Sequence, residues 1–188
     1  MNKIHKKQEV ETKLKRFYSN INQAIRLSEI DNGHKLSWHS YSCSGGFATE
    51  YSEKCLTDFY NNYFKGYLHV IKTEYKINKQ NINIGVLYLY FADGSVVSLE
   101  YGGRDYIYYI DNKHLNNCNH GKDCFMFAFY YHGANGLRNK YFLGKAIEPY
   151  IVDNWDGTRE GLKANRKNYG KLIQLNGWKI PDDYPIKF

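Results

Sequence analysis

The sequence predicts an α+β domain in which a long N-terminal amphipathic helix and a second helix pack on an antiparallel sheet of about four strands, closed by a docked C-terminal tail. Three observations carry this. Residues 5–31 contain no Gly or Pro and repeat apolar residues every three or four positions, the period of one helix face. The period then falls to two in β-branched and aromatic runs either side of Ala92-Asp93-Gly94, a hairpin signal. The chain closes on NGWKIPDDYPIKF, where Asn176-Gly177 offers φ > 0 and Pro181 and Pro185 each lock φ and extend the residue before them.

In the first helix the stripe is Leu14, Phe17, Tyr18, Ile21, Ala24, Ile25 and Ser28, preceded by HKKQEVETK, polar nearly all round. Asp31-Asn32-Gly33 supplies the stop. After a loop holding Ser44-Gly45-Gly46, residues 52–75 read as a second helix, with Leu56, Phe59, Tyr60, Tyr63, Phe64, Tyr67, Leu68 and Ile71 on one broad stripe. Gly66 within it costs about 1 kcal/mol relative to Ala. Strands are expected at 86–91, 95–101, 106–110 and 125–131, the last two separated by the polar loop DNKHLNNCNHGKD. Residues 134–158 read as loop with a helical turn near 144–150, and 159–175 as helix through Leu162, Tyr169, Leu172, Ile173 and Leu175. In the tail, Trp178, Ile180, Pro181 and Tyr184 are the expected anchors.

At 188 residues the chain suits one domain with a core of its own. Aromatic residues make up 17%, including 19 Tyr, and tyrosine suits half-buried sheet faces and subunit contacts. The formal charge of +7 permits nucleic acid or other acidic partners. The positive residues are dispersed, apart from Lys3, Lys6, Lys7, Lys13, Lys15 and Arg16 near the start and Lys163, Arg166, Lys167 and Lys171 later. Such runs on helices are ordinarily solvated faces. Nothing approaches the roughly 20 apolar residues that a membrane span needs.

Cys43, Cys55, Cys118 and Cys124 allow three pairings. The local one, 43 with 55 and 118 with 124, needs the least chain reorganisation. His114, Cys118, His120 and Cys124 also form an H-x3-C-x-H-x3-C array of nitrogen and sulfur ligands that suits tetrahedral zinc. No nucleophile elbow, HExxH helix, phosphate loop or dinucleotide fingerprint is present, so the chain reads as non-enzymatic and calls for no cofactor. Asp93, Asp111 and Asp123 sit where a turn uses an Asp for local hydrogen bonds. DNWDGT at 153–158 is oxygen-rich, without the regular Asp spacing of a calcium loop.

Taken in order, these features resemble a known family. KKQEVETKLKRFYSNINQAIRLSEIDNG is similar to the juxtamembrane helix of bacterial type IV pilin-like proteins, the class that carries a prepilin cleavage and methylation signal. LYFADGSVVSLE resembles that family's hairpin, IYYIDNKHLNNCNHGKDCFMFAFYYHG its loop and Phe-x-Phe strand, and LIQLNGWKIPDDYP its tail. The resemblance implies a single pilin-like domain over 1–188, with 1–32 the C-terminal half of a long helix and 33–188 the globular head. The leader and hydrophobic half-helix of the class are missing, which implies truncation. Leu14, Phe17, Tyr18, Ile21 and Ile25 are then expected to face the sheet. The implied function is a structural subunit of a type IV pilus or a type II secretion pseudopilus, anchored in the inner membrane before assembly and extracellular in the filament. Its implied partners are like subunits, other pilins and the assembly machinery. A DNA-uptake minor pilin that uses basic residues, or a small zinc-binding domain, is the alternative.

Overall fold

The computed structural model describes residues 3–38, 50–78 and 84–188. Helix α1 runs Lys3–Asn32 and stops at Gly33, whose φ of 76° is the left-handed geometry that ends helices. Helix α2 spans Glu50–Tyr63. Strands β1 (Lys72–Asn78), β2 (Ile84–Tyr90), β3 (Val96–Glu100), β4 (Asp105–Tyr109), β5 (Cys124–Phe129) and β6 (Ile147–Pro149) follow, then the short helices α3 (Arg159–Lys163) and α4 (Tyr169–Leu175). The strands make one sheet in sequence order, each pair antiparallel. The β2–β3 turn is fixed by Asp93, whose Oδ1 accepts from the Ser95 N–H at 3.0 Å, and by Gly94 at φ 82°.

Among the described residues the sheet has six strands rather than the expected four. One extra strand, β1, lies in the segment read as the end of the second helix. That helix ends at Tyr63, the chain turns through 64–67, and from Lys72 onward Thr73, Tyr75 and Ile77 alternate with Lys72, Glu74 and Lys76, the period of a strand. The other, β6, falls where a loop with a helical turn was expected, and its three residues are held by pairing with β5. The helix expected over 159–175 is broken in two. Asn165 accepts from the Lys167 N–H, the local side-chain bond that competes with helix continuation.

One sheet face is closed by α1 and α2. Leu14, Ile21 and Ile25 are buried, as is Phe17, whose ring stacks on Tyr108 at 4.3 Å and meets Phe127 edge-on at 5.0 Å. Asn22 pins α1 to the far edge. Its Nδ2 donates to the Ile147 carbonyl at 2.8 Å, and the Ile147 N–H donates to its Oδ1 at 2.9 Å. Tyr18 departs from expectation: it is half-buried and turns to the tail, its ring 4.8 Å from Trp178.

The tail is docked, though not by the residue expected to lead. Trp178 is half-exposed at φ 65°, because the tight turn after Gly177 turns its ring onto the surface of α1. The firmer ties are Glu11, buried on α1, whose carboxylate accepts from the Ile180 N–H at 2.9 Å and Lys179 Nζ at 3.0 Å, and Tyr184, whose hydroxyl donates to the Gly121 carbonyl. Ile180, Pro181 and Tyr184 are buried as expected.

Beneath α4, Lys171 and Glu148 form a buried ion pair at 2.8 Å with both side chains 1% exposed. Lys171 also donates to the Tyr141 carbonyl and to Gln174. Glu148 Oε1 accepts from the N–H groups of Leu143 and Lys145. Burial works to lower the Lys171 pKa, and the Glu148 charge opposes it.

Candidate functional site

Side chains alternate across a strand. The pairing that sends Leu87, Leu89, Val97, Leu99, Tyr106, Tyr108, Phe125 and Phe127 to the helices therefore sends Tyr88, Ser98, Glu100, Asp105, Ile107, Tyr109 and Met126 to the opposite face. That face holds a cavity of about 630 Å³. Its floor is Tyr88, Ile107, Tyr109 and Met126; Tyr101, Arg104, Tyr150 and Lys167 stand on its rim, and Leu115, Cys118 and His120 wall its far end.

Glu100 and Asp105 close the near end as direct cross-strand partners, so their Cβ atoms lie about 4.5–5.5 Å apart. Arg104 grips Asp105 in a fork, Nε to Oδ1 at 3.0 Å and NH2 to Oδ2 at 3.1 Å. Among the described residues, Glu100 accepts from the Ser98 hydroxyl alone, at 3.2 Å. Burial pushes the Glu100 carboxyl up to about 7; the Ser98 bond opposes this and the Asp105 charge adds to it. Two adjacent carboxyls thus have different surroundings, one clamped by a cation and one without.

The connection that carries them is strained. Tyr101, a non-glycine residue, has φ 48°, and Gly102 and Gly103 follow at 68° and 83°. Left-handed geometry at a bulky residue costs on the order of 1–2 kcal/mol. The same turn needs glycine at 103, where a Cβ would stand 2.6 Å from the Phe59 ring of α2. The turn places the Tyr101 ring under the Arg104 guanidinium at 5.2 Å, a cation–π arrangement. The phenols of Tyr88, Tyr101, Tyr109 and Tyr150 all have raised pKa values, burial being the first cause in each, so they keep their protons and can donate.

At the far end, Cys118 and Cys124 are disulfide-bonded, as the local pairing predicts. Cys55 is also in a disulfide; its expected partner Cys43 lies outside the described residues. Of the four residues in the histidine–cysteine array, three come together. His120 Nδ1 is 3.6 Å from Cys124 Sγ, and burial, aided by Lys167 and Arg166, lowers its pKa. His114 turns away to Asp123, Nε2 to Oδ1 at 3.7 Å. The oxygen-rich loop does not converge either. Asp153 pairs with Arg138 at 2.6 Å, whereas Asp156 accepts from the Thr158 N–H and hydroxyl.

The basic residues near the start are partly engaged as well: Lys13 Nζ donates to the Ile110 carbonyl at 2.9 Å, and Lys6 pairs with Asp123 at 3.4 Å. A smaller cleft of about 210 Å³ lies between α1 and the β2–β3 turn. Its charged groups Arg16 and Asp93 face each other at 3.9 Å.

None of Tyr88, Glu100, Arg104, Asp105 and Tyr109 is singled out by motif. The available signal is alternation, since VVSLE sets Ser98 and Glu100 opposite Val97 and Leu99.

Fold and site together define an α+β domain with a helix-backed antiparallel sheet whose other face, with Tyr88 and Tyr109 themselves buried, borders a tyrosine-lined cavity. The chain belongs to a family of unknown function, DUF6613, whose model matches residues 1–188. No curated protein and no solved structure matches it.

Proposed function

We propose that this domain binds a small, uncharged, hydroxyl-rich ligand of the saccharide class in the open-face cavity. The observation that carries the reading is the convergence of four tyrosines and the Glu100–Asp105–Arg104 group on one concavity of about 630 Å³. Pockets of this size hold drug-sized molecules and use a few placed polar groups to orient them. Ring faces pack against the C–H faces of a sugar, while phenols, carboxyls and the side chains of Asn116 and Asn117 suit its hydroxyls. Arg104 and Asp105 satisfy each other, which favours a neutral ligand over a charged one.

A glycan array followed by calorimetry tests this. A saccharide should bind the wild type at about millimolar Kd or better, with at least a tenfold loss in Glu100→Gln and in Arg104→Gln. No binding by the wild type, or binding by both variants as tight as the wild type's, rejects the reading.

A second reading is assembly, as a pilus or pseudopilus subunit of the cell envelope. The observation that favours it is α1, exposed or half-buried over residues 3–9 and buried along one stripe from Val10, laid across an antiparallel sheet. Among the described residues no helix is long and apolar enough to cross a membrane. An apolar segment ahead of α1 would supply the anchor and the association energy between like subunits. Antibody labelling of filaments sheared from cells expressing the full gene tests it, and a product confined to the cell interior rejects it.

A further inference from the structure

We infer that the reduced form of the Cys118–Cys124 pair, together with His120, is a soft-cation site suited to zinc. The ligand atoms of these three residues lie within 4.8 Å of one another. Two sulfurs and one imidazole nitrogen form a ligand set that zinc prefers. The inference stands independently of the saccharide reading.

The loop is held in place by more than its disulfide. The Gly121 N–H donates to the Cys124 carbonyl at 2.9 Å, and the N–H groups of Lys122 and Asp123 both donate to the Asn119 carbonyl at 2.9 Å. Arg166 donates to Asn119 Oδ1 at 2.7 Å. Gly121 sits at φ 84° with room for no side chain, since a Cβ there would meet the Tyr169 ring at 2.3 Å. These bonds keep Cys118, His120 and Cys124 converged when the sulfur–sulfur bond opens.

The chemistry balances. A dithiol reductant gives two electrons and two protons to the disulfide, yielding two thiols, and is itself oxidised to a disulfide. The cation then displaces both thiol protons and accepts two thiolates and the neutral imidazole. Three protein ligands leave a fourth position open, the pattern of a reactive rather than a purely structural zinc site. Cys118 and His120 line the cavity, so the ion would border its far end. His114, drawn to Asp123, contributes nothing, and the operative motif is C-x-H-x3-C.

The test is metal binding to the full chain in two redox states, with zinc and then cobalt as probes. Reduced wild type, equilibrated with zinc and desalted, should retain one ion per chain, and its cobalt form should show a thiolate charge-transfer band. Oxidised protein should retain none. Cys118→Ser/Cys124→Ser should abolish retention, Cys43→Ser/Cys55→Ser should keep it, and His120→Ala should weaken it at least tenfold, whereas His114→Ala should match wild type. Three outcomes overturn the inference: no ion in the reduced chain, equal losses in the two histidine variants, or loss of near-ultraviolet circular dichroism on reduction, since the site requires a loop that stays folded without its bridge.

Discussion

Under α1 and α2 the sheet presents Leu89, Val97, Leu99, Tyr108, Phe125 and Phe127, all 2% exposed or less. On the reverse, the same strands present Tyr88, Glu100, Asp105 and Tyr109 to a cavity, beside a fully buried Ser98. A face covered by helices is free to be apolar throughout. A face meant only for water has no reason to recess a carboxyl until its pKa rises to about 7. The covered side has the character of packing and the open side that of recognition, and substitutions can separate the two.

The largest effects belong on the covered side. Phe127→Ala should lower unfolding free energy by about 3–5 kcal/mol, because Phe127 is fully buried against Phe17. Ile107→Ala, two residues from Tyr109 on the open face and only partly buried, should cost less than about 2 kcal/mol. Urea titrations of both check this, and equal losses would dissolve the distinction.

Two carboxyls give a sharper contrast. Glu148 is paired with Lys171 and accepts two backbone N–H bonds. Glu148→Gln leaves a buried cation without its partner and should cost about 3–5 kcal/mol. Glu100 behaves in the opposite sense. Its folded pKa of about 7 lies above the ordinary 4.5, so the folded state binds the proton more tightly than the unfolded chain. Stability is then highest below pH 4.5 as regards this group and falls as pH rises toward about 7. Glu100→Gln removes that slope. The variant should match wild type near pH 4.5 and exceed it by on the order of 2 kcal/mol at pH 8, while losing ligand. A variant less stable than wild type at pH 8 would show Glu100 to be structural.

Much of the covered side is legible in the sequence, because helix stripes and strand runs are local patterns. Leu14, Phe17, Ile21 and Ile25 are read from spacing alone, and so is the Asp93-Gly94 turn. β1 is harder, since Tyr67, Leu68 and Ile71 continue the stripe of α2 beyond its end and hide the change of period at Lys72. β6 has no local signature at all: its pairing with β5 and the Asn22 contact are both long-range. The cavity is hidden for a related reason. Glu100 and Asp105 are cross-strand partners only because a strained turn returns the chain in register, and no residue type announces that register.

The smallest expected effect concerns backbone strain, where the two left-handed non-glycine residues among those described, Tyr101 and Trp178, can be compared. Trp178 turns the tail, with its ring against Tyr18; Tyr101 borders the cavity. At each position alanine keeps the unfavourable φ and glycine does not, so the glycine variant should be the more stable of the two by about 1 kcal/mol. At 178 the comparison should end there: both variants lose the half-exposed ring and both keep ligand. At 101 both variants should lose ligand affinity even though the glycine chain folds more easily, because what is removed is a ring face and a hydroxyl at the cavity rim. Calorimetric melting and ligand titration on the same four proteins measure both quantities. If Tyr101→Gly binds as wild type does, the strain at 101 serves the packing of Gly103 on Phe59, and recognition on the open face rests on Glu100, Asp105 and the floor tyrosines alone.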